Sequence, residues 1–165
     1  MRSGDGFTIA DDEGSQLVKA GKTSKLRQEA RRLLLQALYQ RILSNDPVSA
    51  IESQFMADND LKSFDTVYFH DVFIGISQNA KAIDEAFEPL LDRRLQDVDP
   101  IELSVLRLAC YELKFRLDVP YKVVINEAID LAKSFGGTDG HKYVNGVVDK
   151  LAARLRGEEV RAQRS

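Results

Sequence analysis

D-V-P-Y-K-V-V-I-N-E-A-I-D-L-A-K-S-F-G-G-T-D-G-H-K-Y-V-N-G-V-V-D-K-L, residues 118 to 151, reads as two amphipathic helices joined by a glycine hinge. Asp118 and Pro120 punctuate the start, since proline fixes φ and suits a first helical turn. Val124, Ile125, Ala128, Ile129, Leu131, Ala132 and Phe135 then recur at helical spacing, with Asn126, Glu127, Asp130, Lys133 and Ser134 on the opposite face. Gly136 and Gly137 offer the positive φ that ends a helix without steric penalty, and Thr138 and Asp139 offer oxygens to cap the next one. A second stripe, Val144, Val147, Val148, Leu151 and Leu155, marks that helix.

The same period extends upstream. After Ser24, an N-cap by residue type, Leu26, Ala30, Leu33, Leu34, Ala37, Leu38 and Ile42 form a stripe that stops at Ser44-Asn45-Asp46-Pro47. A shorter helix is predicted over Val48 to Met56. From Asp65, the residues Phe69, Val72, Phe73, Ile76, Ala80, Ile83 and Phe87 lie near one face until Pro89, which predicts one long helix or a bent pair. Gly75 within it marks a close helix crossing or a weak point. Ile101 to Leu117 is apolar on most faces, with Glu102, Arg107, Glu112 and Lys114 as its charged exceptions, so this helix belongs at the centre of a bundle. No segment alternates with period two, and the fold class is all-α. Residues 1–21 read as a flexible tail, 22–156 as the folded domain and 157–165 as a second flexible tail.

A chain of 165 residues supports one domain with a real core. It has no apolar run long enough to span a membrane and no signal-peptide layout, which places it in the cytoplasm. The single cysteine, Cys110, lies in the apolar run of the central helix, so an internal disulfide is excluded and burial is expected. His70 and His141 are far apart in the chain, and there is no metal-binding spacing, no Gly-x-Gly-x-x-Gly and no phosphate-binding loop ending in lysine-serine. Glu102 and Glu112 stand about 15 Å apart along one helix, too far for a catalytic carboxylate pair. Neither catalysis, cofactor nor metal is expected.

The net charge is −3, which argues against a generic nucleic-acid binder until its distribution is read. Residues 22–43 carry Lys22, Lys25, Arg27, Arg31, Arg32 and Arg41 against Glu29 alone, a segment of +5, whereas residues 44–153 sum to −8. Lys25, Arg27, Arg31 and Arg32 are read as one edge away from the Leu26/Ala30/Leu33 stripe, able to track a phosphate backbone. The charge pattern alone also fits a solvated helix face. A second candidate is His141-Lys142-Tyr143 at the start of the last helix, where free amides, a cation and a ring suit a phosphate and an unpaired base. Tyr143 packed on the preceding helix is the equal alternative. Asp139 in the same turn is read as a modulator that weakens phosphate binding by repulsion.

The wording of these segments carries a resemblance. V-P-Y-K-V-V-I-N-E-A-I-D-L-A-K-S-F-G and H-K-Y-V-N-G-V-V-D-K-L, with Y-F-H-D-V-F-I-G-I (68 to 76), V-D-P-I-E-L-S-V-L-R-L-A-C-Y-E-L (98 to 113) and A-R-R-L-L-L-Q-A-L-Y-Q (30 to 40), resemble the NusB family of transcription antitermination factors over roughly residues 22 to 156. The resemblance implies about seven helices in two small bundles packed through a shared central helix. It implies single-stranded boxA RNA as ligand for Arg27, Arg31 and the Lys142/Tyr143 corner, although Gln28 and Glu29 stand where some members carry further arginines. It implies that Tyr39 and Glu102 face NusE, a small ribosomal subunit protein, within an RNA polymerase antitermination complex acting on ribosomal RNA operons. Judged on the residues alone, Tyr39 is equally a rim residue and Glu102 a first-turn acid favoured by the helix dipole. Three or four neutralised phosphates give an RNA salt slope of about −2 to −3, so the isolated chain is expected to bind weakly. Two rivals stand beside this reading. One is the RNA-binding front domain of a ribosomal RNA methyltransferase, which requires a catalytic domain not seen before Ser165. The other is a helical protein-protein adaptor. Monomer or homodimer, RNA sequence preference, the role of the N-terminal tail and the part of Arg154, Arg156, Arg161 and Arg164 are left open by the sequence.

Overall fold

In the computed structural model the backbone is described over residues 9–164, and side chains are described at Gly21 and over 24–164. Eight α-helices follow one another: α1 (Ile9–Ser44), α2 (Val48–Asp58), α3 (Thr66–Gln78), α4 (Ala80–Phe87), α5 (Pro100–Phe115), α6 (Tyr121–Phe135), α7 (Gly140–Leu155) and α8 (Gly157–Arg164). Two single 3-10 turns, Glu88–Leu90 and Leu95–Asp97, carry the chain from α4 to α5. No strand occurs among the described residues, so the all-α class holds, with one helix more than the expected seven. None of these helices is long and apolar enough to cross a membrane.

The central position of α5 follows from its composition. Leu103, Val105, Leu106, Leu108, Ala109, Cys110 and Leu113 are all buried, and α5 packs against α1, α3 and α4 on one side and α6 and α7 on the other. With α1, α2 and α3 in mutual contact, and α6 against α7, this is the pair of bundles sharing one helix that the resemblance implied. Asp99 caps α5 by accepting from the Ile101 and Glu102 amides at 3.0 and 3.2 Å, and Pro100 follows at a position that needs no donor.

The expected breaks fall where the chemistry placed them. Asn45 adopts φ 57°, a left-handed conformation that asparagine tolerates, and Pro47 opens α2. The 65–87 pattern resolves as a bent pair: Asn79 turns the chain by donating its backbone and side-chain amides to the Gly75 carbonyl, at 3.0 and 2.8 Å. Gly75 does mark a close crossing, since a Cβ there would stand 2.1 Å from the Tyr111 hydroxyl.

Several expectations are corrected. The first helix begins at Ile9 and not after Ser24, because no proline interrupts residues 9–24; the remainder of the expected N-terminal tail, residues 1–8, lies outside the described residues. Gly136 has φ −95° and neither hinge glycine is left-handed; Gly136 is required because a Cβ would meet the Ala132 carbonyl oxygen at 2.7 Å. Asp139 occupies the N-cap position of α7 but makes no side-chain capping bond. The C-terminal segment, read as a tail from residue 157, forms α8. Val160 is buried, and Glu159 both accepts from the Tyr121 amide at 3.0 Å and pairs with Arg156 at 2.7 Å, thereby capping α6.

Candidate nucleic-acid interface

The basic segment does not form one edge. Arg27 and Arg31 sit at i and i+4, in register with Leu34, Leu35 and Leu38, and that register faces the protein. Arg31 is 3% exposed and donates to the Glu112 carboxylate of α5 at 2.9 Å, with Glu127 of α6 at 3.6 Å. Tyr68 of α3 donates its hydroxyl to the same Glu112 oxygen, and burial, reinforced by that carboxylate, raises the phenol's pKa so that it stays protonated. Arg31 is therefore corrected from an RNA contact to a buried structural cation. It joins α1, α3, α5 and α6 at one point.

Arg27 is partly sequestered. Its guanidinium lies 4.2 Å from the Tyr68 ring centroid and 3.6 Å from Asp118. Arg41 is half-buried and donates to the Asp46 carbonyl at 3.2 Å. The exposed cations of α1 are thus Lys25 and Arg32 among the residues whose side chains are described; Lys22 lies outside that set.

Arg32 leads to the second candidate. Its guanidinium rests 4.9 Å from the Phe135 ring at the end of α6, just before the hinge into α7. Phe135 also lines a groove of about 800 Å³ with Leu33, Gln36, Tyr39, Leu43 and Ile101, so Tyr39 forms part of the wall of an apolar channel between α1, α2 and the start of α5. Leu43 is 62% exposed at its mouth. Glu102, the neighbour of Ile101, presses against the first turn of α7: a Cβ on Gly140 would stand 2.9 Å from its carboxylate oxygen, which is why glycine occupies that position. Burial, with Asp99 nearby, raises the Glu102 pKa. Contacts thus link Arg32 through Phe135 and the groove to Tyr39 and Ile101, and Glu102 to the α7 start, whereas Arg27 is turned toward Tyr68 and Asp118 and Arg31 toward Glu112.

At the α7 start Lys142 is exposed and paired with Asp139 at 3.4 Å, which gives Asp139 a direct partner to neutralise. Tyr143 is corrected from an open stacking platform: it is half-buried against the core, and the Arg93 guanidinium covers its ring at 4.2 Å from the centroid. Arg93 is itself held by Asp92 at 2.6 and 3.2 Å. Neither Arg93 nor Phe135 was singled out from the sequence as a surface residue. Arg93 lies in an unpatterned loop, and Phe135 looked like one more member of an apolar stripe. Of the C-terminal arginines, Arg156 is buried and donates to the Glu112, Leu113, Arg116 and Val119 carbonyls at 2.8 to 3.2 Å, closing the end of α5.

Comparison with known proteins bears on the fold and the family. Residues 28–153 match the profile of the NusB family. The chain is 50% identical over 154 residues to the transcription antitermination protein NusB of Marinobacter nauticus, covering 91% of this chain and 98% of that one. It is 49% identical over 160 residues to the NusB of Pseudomonas entomophila, covering 97% and 96%. The solved structure of T. maritima NusB superposes with a TM-score of 0.71 at 31% identity, covering 82% of this chain and 96% of that one.

Proposed function

This chain belongs to the NusB family, and from that premise we propose that it is a non-catalytic transcription antitermination factor that binds single-stranded boxA RNA together with NusE, promoting antitermination on ribosomal RNA operons. The observation that carries the reading is this run of contacts. Arg32 stacks on Phe135, Phe135 and Tyr39 line the same apolar groove, and Glu102 next to that groove abuts the α7 start that bears Lys142. Lys25, Arg32 and Lys142 supply exposed cations for the phosphate backbone. Tyr39 and Leu43 supply apolar surface, and the half-buried Glu102 carboxylate a negative charge, for a basic protein partner.

Three cations make a weak RNA site, since each neutralised phosphate on a single strand adds only about 0.7 to the salt slope. A second basic protein seated in the groove beside them extends the contact surface without any change in this chain. The test is anisotropy of a labelled boxA-like RNA with this chain, with NusE and with both. The expected result is at least about tenfold tighter binding for the mixture than for either component. Equal affinity for the mixture and the separate proteins contradicts the assembly role.

A further inference from the structure

We propose that Arg27 and Arg116 form a phosphate clamp for the RNA backbone, occupied in the free protein by the Asp118 carboxylate as a placeholder; the assignment of RNA as ligand rests on the function proposed above. The two arginines come from distant segments, α1 and the end of α5, and converge on one aromatic ring. Arg27 lies 4.2 Å and Arg116 4.7 Å from the Tyr68 centroid. Tyr68 is buried, and its hydroxyl is fixed on Glu112, so the ring is a rigid base for both guanidiniums.

Asp118 sits on the solvent side of this pair. Its side chain is 53% exposed, against 28% for Arg27 and 23% for Arg116. It meets Arg116 as a fork, with Nε to Oδ1 at 3.0 Å and Nη2 to Oδ2 at 3.1 Å, so both carboxylate oxygens are committed there. Arg27 is left with a 3.6 Å approach to Oδ2, longer than a hydrogen bond, and its Nε is buried without a hydrogen-bond partner. A carboxylate in this position satisfies one arginine and leaves the other short of acceptors. A phosphodiester carries the same charge with more oxygens in a tetrahedral array, and arginine forks bind phosphate in the same two-point manner. Replacing Asp118 by phosphate uncovers no core, because Asp118 is already the outermost group. Phe115, next to Arg116 in the chain, is 40% exposed and offers a ring to an adjacent unpaired base.

The test compares wild type, Asp118→Asn and Arg116→Ala for single-stranded RNA binding at fixed salt. In parallel, inorganic phosphate is titrated against the Arg27 and Arg116 Nε–Hε NMR signals of wild type and Asp118→Asn. The proposal expects Asp118→Asn to bind RNA about three- to tenfold tighter and Arg116→Ala to bind more weakly by a similar factor. It also expects phosphate to shift both arginine signals in Asp118→Asn at concentrations that leave wild type unmoved. RNA bound equally by all three proteins, with unmoved arginine signals, overturns the clamp while leaving the antitermination reading intact. Failure of wild type to bind any RNA, with or without NusE, sinks that reading, and the phosphate titration then decides the clamp alone. An acidic peptide that gains affinity for Asp118→Asn while RNA and phosphate do not identifies a protein carboxylate as the occupant and overturns the phosphate assignment.

Discussion

Arg31 and Glu112 form an ion pair at 2.9 Å with side chains 3% and 2% exposed, eighty-one positions apart in the chain. The pair, with Tyr68 and Glu127, pins α1 to α3, α5 and α6 in the middle of the protein. A buried charge retained this way is compensated only while its partner is present. One of the two arginines read as RNA contacts is thus a cation held inside the fold.

Removing one partner of that pair is expected to destabilise strongly. Arg31→Ala or Glu112→Ala leaves a buried charge without its nearest counter-ion and should cost about 3–5 kcal/mol in urea denaturation, whereas Arg31→Met combined with Glu112→Leu should recover most of the loss. A double variant as unstable as either single one would show that the charges themselves hold the bundle. RNA binding lost in Arg31 variants is expected to track unfolding, which a circular dichroism melt on the same samples separates from a lost contact.

Asp139 pairs with the exposed Lys142 at 3.4 Å, so Asp139→Asn removes a competitor for the lysine charge. RNA affinity is expected to rise by a factor of about two to five, the range of an exposed ion pair, with thermal stability unchanged. Unchanged or weaker binding of the variant would remove the α7 start from the interface.

Glu159 ties α8 to the body and gives a pH-dependent contact. The hydrogen bond from the Tyr121 amide, followed by Arg156, holds its pKa below the ordinary 4.5 of a glutamate, despite some burial. A depressed folded-state value means that the contribution is complete above the unfolded pKa and is lost as pH falls through the folded one. Wild type should therefore lose an increment of stability below about pH 4.5 that Glu159→Gln lacks. Parallel pH-stability curves for the two proteins would exclude this linkage.

Cys110 is fully buried, its sulfur 3.6 Å from the Ile83 carbonyl, and burial pushes its pKa up to about 12. A thiol reagent at neutral pH should modify it only at the rate of unfolding, since the thiolate is the reactive form. Rapid labelling of the native protein would show a local opening of α5.

The helices were legible because their signals are local. The stripes, the Asn45–Pro47 stop, the apolar central helix and the tight crossing at Gly75 all rest on spacing or on a residue's backbone requirements. The site was less legible because exposure depends on what lies opposite. Arg31 and Arg32 are chain neighbours with the same side chain, and only the placement of Glu112 and Phe135 buries one and exposes the other. Glu112 was visible as a charge inside an apolar helix, and a buried acid demands a cation; that signal called for a basic partner but could not pick Arg31 out of the six basic residues of 22–43. The covering of the Tyr143 ring was hidden for the same reason, since nothing near it in sequence announces Arg93. Residues 157–165 read as a tail, and the role of Glu159 appears only once α6 lies beside it.

Lys25 and Arg32, the exposed cations among the described side chains of α1, are expected to carry the greater part of the RNA contact on that helix, with Arg27 engaged only where RNA displaces Asp118. The most direct measurement is the affinity for a boxA-like single strand across salt concentrations for wild type and Lys25→Glu/Arg32→Glu, with melts confirming that both are folded. The expected wild-type slope of log affinity against log salt is about −2 to −3, becoming shallower by about 1.4 in the variant with most of the affinity lost. A folded variant that binds as tightly as wild type, with the same slope, would contradict the account.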